Sequence, residues 1–263
     1  LMEALRHNLR AVFGNLIALE LPLGFLALTG LGIAAWRERH DKAMLALLGP
    51  TLGAVLAQTA SGYLPSFMRY EVYALTLITL TGLALAQRCL ANPWVKVAAL
   101  LAVSAASAPC LLVTLLTPTA SRGIYLQQYQ MHRFAVDYWR QSVGVNDLGW
   151  VSYRNPAYVL DLYGLGSEEV CRLKLRNALD DQAVRALAER KQVHLFMLYD
   201  DWFTGRLPAE WRKVAVLQTP AVSAHSGQVS FYAAPAVHQA ELLLRLREFA
   251  GTLPEGASIL LTP

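Results

Sequence analysis

Val97–Leu116, VAALLAVSAASAPCLLVTLL, carries no charge, and just beyond it Thr119–Val145 reads TASRGIYLQQYQMHRFAVDYWRQSVGV, with charged and aromatic residues at close intervals. A helix needs about 20 apolar residues to cross a bilayer, because the hydrocarbon core is about 30 Å thick and each residue adds about 1.5 Å. The first stretch meets that length, and the second ends it. Working back toward the amino terminus, Ala43–Ala60 and Val72–Ala86 are also uncharged, and Ala11–Trp36 contains the single charge Glu20. Runs so apolar, parted by short polar loops, leave no wet face for a water-filled surrounding. The pattern predicts a multi-pass helical membrane region of about four spans over residues 1–120, followed by a small α/β domain over residues 121–263.

Charge supports the division. Residues 1–121 hold 8 Lys and Arg and 5 Asp and Glu, whereas the remaining residues hold 15 and 14. Arg37, Arg39 and Lys42 lie between the first two runs, and Arg88 and Lys96 between the last two, so the positive-inside rule puts both loops in the cytoplasm. The predicted place is the inner (plasma) membrane, with the carboxy-terminal domain outside the cytoplasm. A net charge of +4 without a basic stripe excludes nucleic acid as an expected partner.

In the second half, 125–140 reads as a juxtamembrane helix with Tyr129, Trp139 and Arg140 at headgroup level. Ser142–Val145, Tyr158–Leu162, Val193–Leu198, Val214–Leu217 and Val229–Tyr232 read as strands. Asp180 and Asp181 cap a helix through Glu189, and another runs from Val237 to Phe249. Alternating strands and helices favour an α/β sheet.

Few residues carry a chemical signal. Six histidines form no HxxxH pair, and the three cysteines have no CxxC spacing, so neither a metal nor a cofactor is expected. Gly164-Leu165-Gly166 lacks the third glycine of a dinucleotide loop and reads as a turn. No GxSxG elbow is present, and Ser226 beside His225 reads as loop. Asp200 and Asp201 close a strand at the edge where open α/β sheets bind ligands, although adjacent acids in such a turn are usually solvated. Arg69, before the third run and beside Tyr70, can fork two hydrogen bonds onto a lipid phosphate; its alternatives are an interfacial anchor or an ion pair with Glu71. Glu20, close to Pro22, is a possible intramembrane polar site in a kinked span, or the partner of Arg69 or Arg10.

Two strings stand out, Val143–Tyr153 (VGVNDLGWVSY) and Val159–Leu165 (VLDLYGL). Together with the Arg69-Tyr70 pair and the terminal α/β domain, they make the chain resemble the carboxy-terminal portion of the membrane-embedded glycosyltransferases that use polyprenyl-phosphate sugars. That group includes the protein O-mannosyltransferases and the aminoarabinose transferase of lipid A. The resemblance implies transfer of a sugar from a polyprenyl-phosphate donor to a cell-envelope glycan, lipid or protein at the outer face of the bilayer. It carries over Arg69 and Tyr70 as phosphate contacts and no catalytic residue, because the family's acid belongs to a first outer loop expected upstream of Leu1. A different class, a non-enzymatic membrane-anchored envelope protein whose α/β domain binds a partner, fits the same layout.

Overall fold

The structure, a computed structural model, describes residues 39–61, 72–89, 93–221 and 224–262, together with residues 29, 30, 32, 33, 36 and 37. It divides into two compact units, one up to Leu115 and the other from Leu116.

In the first unit, Asp41 ends a turn by accepting the backbone N–H groups of Ala43 and Met44 at 2.9 and 3.1 Å, which starts helix α1 (Lys42–Ser61). Helix α2 (Val72–Cys89) packs on it through a small cluster of Met44, Leu48 and Val55, joined by Ile78 and Ala84. Buried among these apolar residues, the hydroxyls of Thr51 and Thr81 meet at 2.7 Å, and that of Thr51 also bonds the Leu47 carbonyl at 2.8 Å. Helix α3 (Pro93–Leu126) follows.

The expectation of about four spans is corrected here. Among the described residues no helix is long and apolar enough to cross a membrane. Helix α2 has 18 residues, about 27 Å at the standard rise and short of a bilayer core, and Gln87 and Arg88 occupy its last turn. Helix α1 opens on Lys42, contains Pro50 and closes on Gln58, Thr59 and Ser61. In α3 the described side chains belong to its two ends, around Trp94 and Leu101 and from Thr114 onward, and most of Ala11–Trp36 lies outside the described residues. The multi-pass inner-membrane location falls with the spans, and so does the placement of the second half outside the cytoplasm. Trp139 is also reassigned from the headgroup level: it is buried, with Nε1 directed at the Ser142 carbonyl at 3.4 Å.

The second unit is a mixed α/β fold. A short helix α4 (Gln128–Arg133) continues as a π-helical stretch, Phe134–Trp139, which Arg140 stops by adopting a left-handed conformation (φ 57°). Strands β1 (Val143–Val145), β2 (Val159–Asp161) and β3 (Leu195–Leu198) run parallel, while β4 (Arg212–Gln218), β5 (Gln228–Ala233) and β6 (Ser258–Leu261) complete a six-stranded sheet in the order β2-β1-β3-β5-β4-β6. Strand β5 is antiparallel to β3 and β4, and β6 is antiparallel to β4.

Alternation along the strands divides the core into two layers. Val143, Val145, Leu195, Met197, Val229 and Phe231 face one layer, with Phe134 and with Leu242, Leu246 and Phe249 of helix α7 (Gln239–Ala250). Leu160, Phe196 and Leu198 face the other, with Val170 of helix α5 (Glu168–Leu175) and Val184, Leu187 and Ala188 of helix α6 (Asp181–Arg190). Gly144 is required in β1 because the Phe196 ring occupies the space of a Cβ, and that ring stacks on Trp211 at 3.9 Å. Asp180 caps α6 by accepting from the Ala183 N–H at 2.8 Å. Helix α5, capped by Ser167, and the edge strand β6 have no counterpart in the sequence reading.

Candidate functional site

The three parallel strands end on one edge of the sheet, where two of the unit's buried polar residues, Asn146 and Asp161, stand. After β1, the side chain of Asn146 turns back and accepts the Tyr199 backbone N–H at 2.8 Å, tying the ends of β1 and β3 together. After β2, buried Asp161 accepts the N–H groups of Tyr163, Gly164 and Gly166 at 2.7, 3.1 and 2.6 Å. That carboxylate is consumed in shaping a loop. Gly164 holds φ +91° there, with the Cys171 backbone against it, and Leu148 fills the place of a Cβ at Gly166. Gly144 and Gly164, one in each string, thus have packing reasons of their own.

Between α3 and α4 the helix breaks at Gln127, and the break delivers two glutamine side chains to this edge. The Tyr199 hydroxyl donates to Gln127 Oε1 at 2.6 Å, and Gln127 Nε2 donates to Thr219 Oγ1 at 3.0 Å and to the Ser226 carbonyl at 2.8 Å. Gln128 Nε2 donates to Asp147 Oδ2 at 3.1 Å. Gln128 Oε1 and Asn146 Nδ2 are buried without a hydrogen-bond partner. Burial pushes the Tyr199 phenol well above its ordinary pKa, and the carboxylates of Asp147 and Asp201 push the same way. The phenol therefore remains a donor at any physiological pH.

At the exposed rim of the cluster, Asp201 Oδ2 meets His225 Nε2. The imidazole sits 4.9 Å from the Trp202 ring and 5.7 Å from Tyr199. With Nε2 engaged by the carboxylate, Nδ1 is the nitrogen left to accept a proton or a hydrogen bond from an incoming hydroxyl. Asp200 takes a separate role. Burial alone raises its pKa, but hydrogen bonds from Lys213, Ser230 and Tyr232 outweigh that and hold the carboxyl below its ordinary range. Adjacent in sequence, the two acids separate because the turn Asp200–Trp202 directs them to different partners.

Of the residues singled out from the sequence, Glu20, Arg69 and Tyr70 lie outside the described residues. Asp200 and Asp201 occupy the strand edge anticipated for them. Gln127, Gln128 and Tyr199 carry no catalytic motif in the sequence, and His225 beside Ser226 reads there as loop: the Gln127–Tyr199 pair is 72 residues apart and the Asp201–His225 pair 24. A pair of adjacent glutamines next to an aromatic-rich helix is the one local oddity that marked the place. Among the described residues, no group of three His, Cys, Asp or Glu side chains is arranged to hold a metal ion.

Fold and edge together define a mixed α/β domain whose polar groups converge at the carboxyl ends of its parallel strands, the position where α/β sheets hold ligands. Residues 122–232, from the end of α3 through most of β5, match a family model described as a domain of unknown function (DUF8728). Neither a curated protein nor a solved structure matches the chain.

Proposed function

We propose that this chain is the carboxy-terminal part of a glycosyltransferase that takes sugars from polyprenyl-phosphate carriers, and that the edge of its α/β unit receives the hydroxyl groups of a cell-envelope acceptor. The observation that carries the reading is where the two transferase-like strings fall. Val143–Tyr153 and Val159–Leu165 form neighbouring parallel strands, and the loop after β1 sends Asn146 and Asp147 into the cluster of Gln127, Gln128 and Tyr199. A sugar offers many hydroxyls that both donate and accept, and a site that recognises it needs converging amides, carboxylates and phenols beside aromatic rings. The edge contains each of these, with Trp202 at its rim.

In this reading Asp201 fixes the His225 ring, and Nδ1 accepts the hydrogen of an acceptor hydroxyl. The test is sugar transfer from a polyprenyl-phosphate-linked donor by the complete protein at matched levels. His225→Gln is expected to lower transfer by about 10²-fold, the low end for a proton-accepting side chain, while the thermal transition stays in place. Wild-type protein that transfers no more sugar than a strain lacking the gene overturns the reading.

A binding role without transfer, the second reading, is favoured by Asp161. The buried acid of the second string is fully engaged with loop amides and unavailable to a substrate. Retained acceptor binding with no turnover of any polyprenyl-phosphate sugar selects that role.

A further inference from the structure

We propose that a strip of aromatic rings on the surface of the second unit, Tyr125, Tyr129, Trp150 and Tyr153 with His132 behind and Arg154 at the end, is a docking platform for a linear glycan. The proposal deepens the transferase reading by giving its acceptor a place to lie, and it rests on rings other than those of the polar edge.

The rings form a continuous row. Tyr125 stacks on Tyr129 at 5.4 Å and 19°, Trp150 meets Tyr129 edge-on at 5.4 Å, and Tyr153 meets Trp150 edge-on at 5.7 Å. The Arg154 guanidinium lies 5.3 Å from the Tyr153 ring. Two elements build the row: the junction of α3 and α4 supplies the first two tyrosines and His132, and the helical turn Gly149–Ser152 supplies Trp150. Tyr125, Trp150 and Tyr153 remain 48, 41 and 52 % exposed. The Phe rings of the same unit, Phe134, Phe196, Phe203, Phe231 and Phe249, are by contrast buried. Rings left outside a well-filled core signal a binding surface.

The chemistry of the strip selects the occupant. Its exposed rings are Tyr and Trp, each with a flat apolar face and a hydrogen-bonding tip, and it contributes no aliphatic side chain of its own. A pyranose has the complementary form, with a face of C–H groups bounded by hydroxyls. A lipid-inserting surface, by comparison, presents aliphatic and phenylalanine side chains as its buried part. His132 adds a second indication: its ring is 5.9 Å from Tyr129 and 6.1 Å from Trp150, and its Nδ1 is buried with no hydrogen-bond partner. A hydroxyl reaching between those rings would satisfy it.

The experiment titrates the full chain with chitohexaose, mannohexaose and hexagalacturonate, following tryptophan fluorescence and, independently, calorimetry. At least one of the three is expected to bind, with Trp150→Ala weakening it by about tenfold or more and Trp150→Phe by about two- to threefold, since a phenyl ring still stacks. Trp150 is on the surface, so circular dichroism should show both variants folded. Binding should persist in His225→Ala, which places the glycan on the strip whether or not the polar edge carries out transfer. The proposal is overturned if none of the three oligosaccharides binds, or if Trp150→Ala binds as wild type. It is equally overturned if Trp150 proves necessary only for binding to phosphatidylglycerol vesicles.

Discussion

The two units of this chain bury opposite things. Helices α1 and α2 leave Leu45, Leu56, Leu80 and Leu83 exposed while enclosing the hydroxyls of Thr51 and Thr81. The α/β unit encloses five phenylalanines and holds the ion pairs of Asp200 and Asp201 at its rim. Apolar burial contributes about 25 cal/mol per Å², so the second unit has a large favourable term within itself, whereas the buried cluster among the described residues of the first is a seam of Met44, Leu48 and Val55.

The strongest test separates the units. A fragment of residues 116–263 is expected to unfold in one cooperative thermal transition, since both of its core layers are made from its own residues. A fragment of residues 1–115 in plain aqueous buffer is expected to show no such transition. Circular dichroism melts of both fragments decide it. A sloping, non-cooperative melt of 116–263 would break the comparison at its root.

At the level of single residues, Phe196→Ala removes a fully buried ring that fills the space over Gly144 and stacks on Trp211. Its expected cost is about 3–5 kcal/mol. Leu80→Ala, at an exposed position of α2, should cost about 0.5 kcal/mol or less in the full chain. Denaturant melts of the two variants measure the contrast directly, and comparable losses would mean that Leu80 is covered in the folded protein.

How much of this the sequence disclosed follows from range. The buried strand over Val193–Leu198, the Asp180 cap and the helical spacing of Val184, Leu187 and Ala188 are local patterns, and each is readable from neighbours along the chain. Strand β6 escaped because Ser258–Leu261 is a short edge strand whose pairing with β4 is set about 40 residues away. Helix α5 escaped because its start rests on one serine oxygen, and its Glu168–Leu175 sequence has a single buried residue, Val170. The expected spans count uncharged length alone, whereas α1 places Thr51 against Thr81 of α2 and carries Pro50, and α2 ends after 18 residues. The site was least legible of all. Asn146 and Asp147 lay in a quoted string, yet their role depends on Gln127, Gln128 and Tyr199, which only the fold brings near.

The last expected effect is one of pH, and it also distinguishes the units. Asp200 is held below its ordinary pKa of 3.8, with burial opposing and the hydrogen bonds from Lys213, Ser230 and Tyr232 prevailing. A carboxyl whose folded pKa is depressed binds its proton more readily in the unfolded chain. Its contribution is therefore complete above the unfolded value and is lost as pH falls through the folded one. Asp200 is partly exposed, so the contribution belongs with surface ion pairs, about 0.2–1 kcal/mol. Asp200→Asn should lower the melting temperature slightly at pH 7, and the gap from wild type should close as the solution is taken below pH about 4. The Thr51–Thr81 pair carries no charge, so Thr51→Val should cost the same at both ends of that range. Melting curves at several pH values give both answers. If the Asp200→Asn gap stays constant with pH, Lys213 and Tyr232 are holding the turn by geometry alone, and the rim of the α/β unit is as insensitive to protons as the helix pair.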